Sequence, residues 1–162
     1  MADLKIEKNK SLQNKPQAGE EVLLGIDHGE KRIGLAFSRD NAVAPLHVLS
    51  RMSELNFVNE ISKVCKDNHV TKIIIGLPLD SENKETAQSL KVRRFAKLLR
   101  VYVKIPQEFV NEIDSSSESM EDSISYGITA KSTMNVDHIA AAVILKKYLR
   151  SKEDAKPHNN GP

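Results

Sequence analysis

The sequence predicts an α/β domain on a mixed five-stranded sheet, an antiparallel meander followed by strand-helix units, flanked by helices. Three observations carry this expectation. Three short β-prone runs follow one another between Val22 and Leu49, separated only by turn residues. Lys72-Ile73-Ile74-Ile75-Gly76 is β-branched without polar alternation, as in a strand covered on both faces. Three further stretches place their apolar residues at helical spacing.

Val22-Leu23-Leu24-Gly25-Ile26 ends at Asp27, and the turn-like His28-Gly29-Glu30-Lys31 leads into a second run, Ile33 to Phe37, so the pair reads as a β-hairpin. Asp40-Asn41 turns the chain into a third strand, Val43 to Leu49. Pro45 near its start places that strand on an edge, where a missing N–H does least harm. Ser53 caps a helix with Leu55, Val58, Ile61, Val64 and Cys65 inward, ending near Asn68. After the buried parallel strand at 72–76, Gly76-Leu77-Pro78 leads to a helix from about Lys84 to Leu99. Ala87, Leu90, Phe95, Leu98 and Leu99 point mostly inward there, and Lys91, Arg93, Arg94 and Lys97 outward. Phe109-Val110-Asn111 is a short strand that delivers Glu112 at its end. Ser115-Ser116-Ser117-Glu118 has the S-x-x-E spacing of a capping box. The last helix, about Val136 to Leu149, buries Val136, Ile139, Ala140, Val143 and Ile144, and the Ala140-Ala141-Ala142 run lets it approach the sheet closely.

The 162 residues suit one domain. Residues 1–20 are polar and lack aromatics, and residues 151–162 end in Pro157-His158-Asn159-Asn160-Gly161-Pro162, so a folded core over 21–150 is expected between disordered tails. With both tails set aside, 18 basic side chains face 17 acidic ones. That balance excludes a globally basic nucleic-acid binder, and any polyanion contact has to come from a local patch. The lone Cys65 reads as core, cannot form an internal disulfide and fits a reducing compartment. The longest apolar run, Ile139 to Leu145, is far short of the roughly 20 residues a membrane helix requires. The first twenty residues have no Arg and no apolar h-region, which argues against a leader. A cytoplasmic protein with no membrane contact is the expectation.

Asp27 is the first polar group after an apolar strand, with Gly25 before it and Gly29 after it. It either closes the hairpin turn or serves as a metal ligand at a strand end. Asp137, taken alone, is a first-turn acid that the helix macrodipole favours. The wider stretch Leu24-Gly25-Ile26-Asp27-His28-Gly29-Glu30-Lys31-Arg32-Ile33-Gly34-Leu35-Ala36 resembles the N-terminal signature of the YqgF/RuvX family, small RNase H-like nucleases linked to Holliday junction resolution and to pre-16S rRNA maturation. The resemblance continues through Ala44-Pro45-Leu46, Ile74-Ile75-Gly76-Leu77-Pro78, Arg94-Phe95-Ala96 with Leu99, and Asp137-His138-Ile139-Ala140-Ala141 with Ile144-Leu145 and Tyr148-Leu149. It implies an RNase H-like three-layer fold over 21–150 and a catalytic trio of acids on Asp27, Glu112 and Asp137.

Around Glu112 the family usually has Asp-Glu-Arg, a hydrophobic residue and two Thr or Ser, whereas this chain has Asn111-Glu112-Ile113-Asp114-Ser115-Ser116. The glutamate and the hydroxyl pair survive, while one acid has become an amide and the arginine an isoleucine.

Three carboxylates suit the chemistry that the resemblance implies. Phosphodiester hydrolysis needs an activated water and charge stabilisation at the leaving oxygen, which two divalent ions roughly 3.5–4 Å apart supply. Mg²⁺ or Mn²⁺ in a two-metal site held by Asp27, Glu112 and Asp137 is therefore expected, since hard ions prefer oxygen ligands. His28 and His138 each follow one of these acids, but the next residue along a strand points to the other face, and along a helix it is turned by about 100°. Both are expected outside the cluster.

Lys31 and Arg32 either meet substrate phosphate or form a solvated hairpin tip. Arg94 belongs either to a substrate-binding face or to a solvated helix. Ser115 and Ser116 either bind phosphate at a helix N-terminus or simply cap it. The expected partner is nucleic acid, structured RNA such as pre-rRNA or branched DNA, with the protein a monomer or homodimer. Two further readings compete. One is a non-catalytic nucleic-acid-binding module, supported by the altered Asn111-Glu112-Ile113 segment. The other is an actin-like or sugar-kinase ATPase built around Asp27-x-Gly29, which the length of the core opposes, because those enzymes clamp ATP between two such domains.

Overall fold

The computed structural model describes residues 15–113 and 137–157. Its elements are β1 (Val22–His28), β2 (Arg32–Arg39), β3 (Ala42–Ser50), α1 (Glu54–Asp67), β4 (Lys72–Leu77), α2 (Ala87–Tyr102), β5 (Gln107–Asn111) and α3 (Asp137–Asp154). The sheet order is β3-β2-β1-β4-β5, with β3, β2 and β1 antiparallel and β1, β4 and β5 parallel.

The meander forms as its turn residues require. Gly29 N–H donates to the Arg32 carbonyl (2.9 Å) and closes the first hairpin. Asp40 and Asn41, both at positive φ (51° and 62°), turn the second. Pro45 lies on the edge strand, and a register shift opposite Leu35 and Ala36 bends β3 there. Strand β4 is parallel-paired on both sides, which accounts for its unbroken apolar run.

The two sheet faces carry separate cores. Val22, Leu24, Ile26, Leu35, Ile73 and Ile75 pack against α1 and α2. Leu23, Ala36 and Ile74 pack against Ala141, Ala142, Ile144, Leu145 and Tyr148 of α3. The result is three layers, α1 and α2, then the sheet, then α3. Ala141 and Ala142 are buried, so the small residues of α3 do permit a close approach.

The helices differ from expectation in detail. In α1 the Ser53 side chain caps as expected, accepting from Asn56 N–H at 3.3 Å. Phe57 takes the inward position instead of Leu55, which is exposed, because the packed face of this helix starts one turn later. Helix α2 begins at Ala87, three residues after Lys84. Its capping box joins Thr86 and Ser89, a pair hidden from the usual S/T-x-x-E/Q pattern because the third residue is serine. Val92 is inward there, and Leu90 and Ala87 are exposed. Helix α3 continues to Asp154, past the expected end at Leu149.

Glu20, placed in the expected N-terminal tail, pairs with Arg39 at 2.6 Å. Residues 15–19 and 151–157 of the two expected tails are also described, with 151–154 helical, while 1–14 and 158–162 lie outside the described residues, as do Val136 and the expected capping box at 115–118.

Candidate active site

Asp27 occupies the β1 face that Leu23 and Gly25 turn toward α3, because side chains alternate along a strand. Two glycines flank it. Across the antiparallel pair its partner is Gly34. On the parallel side Ile26 pairs with Ile75, so the next residues along the two strands are Asp27 and Gly76.

Each glycine leaves room for another acid. A Cβ on Gly34 would overlap the backbone carbonyl of Asp137, so the missing side chain lets the first turn of α3 lie directly on β2. A Cβ on Gly76 would overlap the Glu112 carboxylate. Glu112 reaches that position because its N–H donates to the Leu77 carbonyl (3.1 Å), carrying the β4–β5 pairing one residue past the strand end. Gly25 serves the same helix further along, its absent Cβ facing Leu145 Cγ at 2.6 Å and the Ala141 carbonyl at 2.8 Å. Gly34 meets the backbone of α3, Gly25 both its backbone and the Leu145 side chain, and Gly76 the side chains of Glu112 and Ile144.

Burial, then the neighbouring charges of Glu112 and Asp137, pushes the Asp27 carboxyl up from 3.8 to about 7. Burial also raises Glu112, against the lowering influence of Lys147. The Asp137 Oδ2 lies 3.0 Å from Arg32 Nε as an ion pair, although that approach is not aligned as a hydrogen bond and Oδ2 is otherwise buried without one. Among the described residues no group of three or more His, Cys, Asp or Glu side chains is close enough as it stands to hold a metal ion. The three acids converge as an electrostatically coupled group, with Asp137 tied to Arg32.

The remaining predicted site residues divide by layer. Lys31 and Arg32 stand at the hairpin beside Asp137, lining the same recess. Arg94 is exposed on α2, in the layer across the sheet from α3. Ser115 and Ser116 lie outside the described residues. His28 turns away from the acids and stacks on Phe95 of α2, ring centroids 4.5 Å apart, as strand alternation requires.

The departures near Glu112 have local partners. Asn111 Nδ2 donates to Asn83 Oδ1 (2.6 Å), which an aspartate could not do, and Asn111 Oδ1 accepts from Ile113 N–H (3.0 Å). Lys147 Nζ donates to the Ile113 carbonyl, which brings a cation from α3 beside Glu112. Sequence reasoning missed Lys147. It stands ten residues from Asp137 and about 80° round the helix from it, so helical spacing did not single it out.

The model of a protein family described as RuvX: Holliday junction resolvase matches residues 21–151. A relative from Syntrophomonas wolfei, named as a candidate pre-16S rRNA nuclease, is 33% identical over 130 residues, 78% of this chain and 92% of its own. One of the same name from Parasynechococcus marenigrum is 31% identical over 137 residues, covering 83% and 85%. Among solved structures, Thermus thermophilus RuvC in complex with a Holliday junction substrate aligns with a TM-score of 0.60 at 12% identity, covering 83% of this chain and 96% of that one. The yeast mitochondrial Holliday junction resolvase aligns at 0.58 and 14%, covering 85% and 81%. At those identities the likeness is one of fold, the RNase H-like architecture of the resolvases.

Proposed function

The chain belongs to the RuvX family, and on that premise we propose that it is a metal-dependent endonuclease that hydrolyses phosphodiester bonds in structured RNA, with the 5′ end of pre-16S rRNA as its substrate. The observation that carries the reading is Asp27, flanked by two glycines that admit Glu112 and Asp137, with its carboxyl raised to about 7 by burial and by those two charges. A fold gains no stability from bringing three acids together in this way.

The donor set fits hard divalent ions. All three side chains offer only oxygen, Asp137 has a buried Oδ2 without an aligned hydrogen bond, and the mutual repulsion is what a bound cation relieves. Asp27, Glu112 and Asp137 would hold Mg²⁺ or Mn²⁺, which when bound supplies water activation and charge stabilisation at the leaving oxygen.

The other residues position and neutralise. Arg32 holds the Asp137 carboxylate from the hairpin side, and Lys147 fixes the backbone after Glu112 from the helix side. Lys31, exposed at the hairpin, supplies positive charge to substrate phosphate. In the metal-free protein Asp27 changes from acid to carboxylate between about pH 6 and 8, so metal uptake strengthens as pH rises across that range.

Branched DNA is the second reading, favoured by the family's description as Holliday junction resolvases. A four-way junction needs two matched cuts, so that activity requires a homodimer. Cleavage of a pre-16S rRNA precursor and of a four-way DNA junction, side by side with and without Mg²⁺ or Mn²⁺, separates the two. Metal-dependent RNA cutting that is lost in Asp27→Asn supports the reading, and junction cutting alone reverses the order. Binding of either substrate without any cutting supports the non-catalytic module. None of the helices among the described residues is long and apolar enough to cross a membrane.

A further inference from the structure

We propose that the recess beside Asp137 seats a backbone phosphate of the substrate strand flanking the cleaved bond, and that Arg51 together with Lys31 grips it. The proposal rests on the nuclease reading above and adds to it a residue that the sequence did not single out.

The recess has a volume of about 600 Å³, within the roughly 300–1,000 Å³ of small-ligand sites, and opens between the first hairpin, the end of β3 and the start of α3. Its charges are unevenly matched. Of its two acids, Asp137 is paired with Arg32 and Glu30 with Lys91 from α2. Lys31 and Arg51 also line it, and neither makes an ion pair among the described residues. The net charge that an incoming group meets is positive.

Register sharpens the point. Arg32 pairs with Ser50 at the end of the β2–β3 ladder, so Lys31 and Arg51 are the residues just past it on the two chains, and both line the recess. Two like charges lining one recess repel, and an anion between them removes that cost. Arg51 also holds a left-handed backbone, φ 58°, which a residue with a side chain seldom adopts and glycine adopts freely. A β3 chosen for stability alone has no reason to keep an arginine there. Because Asp137 forms part of the same wall, a phosphate in the recess lies next to the acids, where it would fix the position of the strand.

The full-length protein, held in chelator so that nothing is cut, is titrated with a labelled pre-16S rRNA leader fragment as salt is raised from about 50 to about 200 mM. Arg51→Gly is expected to bind roughly 5–10-fold more weakly at the low end. Its log–log salt slope should be shallower by about 0.7–0.9, the signature of one lost phosphate contact. Its melting temperature should stay level or rise, since glycine suits the backbone. Arg51→Lys should recover most of the slope. Lys63→Ala, which removes one exposed charge from α1 across the sheet, should match the wild type.

Wild-type affinity and slope in Arg51→Gly, from a protein that does bind the RNA, overturns the proposal and leaves the nuclease reading standing. Weak binding with an unchanged slope also overturns it, because the loss is then not electrostatic. A wild type that binds no nucleic acid overturns both.

Discussion

The carboxylate of Glu112 occupies the space that a side chain on Gly76 would fill. Gly76 lies in β4 and Glu112 one residue past the end of the adjacent parallel strand β5, and the absence of a Cβ on the glycine is what admits the acid beside Asp27. Gly34 and Asp137 repeat the arrangement on the other flank, with backbone in place of a side chain.

That difference predicts different outcomes for two similar substitutions. In Gly76→Ala the added methyl meets the ends of two side chains, Glu112 and Ile144, which can swing away. Stability should fall by only about 1 kcal/mol, while kcat should fall about 100-fold, because an ångström of displacement at a reacting group costs that much. In Gly34→Ala the methyl meets the carbonyl of Asp137, so all of α3 has to shift. The loss there should reach about 3 kcal/mol or more, together with the activity. Chemical denaturation and single-turnover cleavage on both variants check the contrast.

Asp27 predicts an inverted pH dependence for the metal-free fold. Its carboxyl titrates at about 7 when folded against 3.8 as the ordinary value, so the folded chain holds the proton more tightly. The stability this contributes is complete below about pH 4 and is lost as pH rises through 7, a swing of at most about 4 kcal/mol. Asp27→Asn should therefore melt higher than the wild type at pH 8 in chelator, by several degrees, and show little advantage at pH 4. Mg²⁺ should stabilise the wild type and not the variant. Thermal melts at the two pH values, with and without the ion, are the measurement.

Much of this architecture was legible because each clue was local. Asp40-Asn41 specified a turn, Pro45 an edge, and the unbroken 72–76 run a strand covered on both sides. Asp27 stood out as the polar end of an apolar strand. What stayed hidden depends on contacts between distant segments. Leu55 and Leu90 fit a helical stripe, yet they are exposed, since periodicity does not say where along a helix the packed face begins. The pairing of Arg32 with Asp137, and the place of Lys147 beside Glu112, depend on where α3 lies across the sheet, and that is decided by glycines on three different strands. Arg94 carried the right charge, but its helix lies across the sheet from α3.

Lys147 should matter to the reaction more than to the fold. Its ammonium holds the Ile113 carbonyl and opposes the burial that raises Glu112. Removing the charge in Lys147→Met should raise the proton affinity of Glu112 further, so the acid limb of the rate profile moves to higher pH. At pH 7 kcat should drop about 10-fold with the melting temperature within a few degrees of wild type, and Lys147→Arg should restore part of the rate. A kcat–pH profile for the three proteins gives the answer.

The opposite end of the sheet supplies the converse case. Lys72, at the start of β4, reaches the Tyr148 hydroxyl, Glu21 and Glu108, each at 3.1 Å, and so joins the approach to β1, strands β4 and β5, and α3. These contacts, and the hydroxyl above all, hold its ammonium well above the usual lysine range. The lysine is only 18% exposed, but Glu21 and Glu108 are 51% and 43% exposed and solvent screens both pairs, so losing the cluster should cost about 1 kcal/mol. The site acids gather where β1 and β4 end, whereas Lys72 sits at their beginning. Lys72→Met should accordingly lower the melting temperature while kcat at 25 °C stays within about twofold. If the same substitution instead lowered kcat at a temperature where the protein is fully folded, the stability knot and the acid cluster would be coupled through β4 and α3, which touch both.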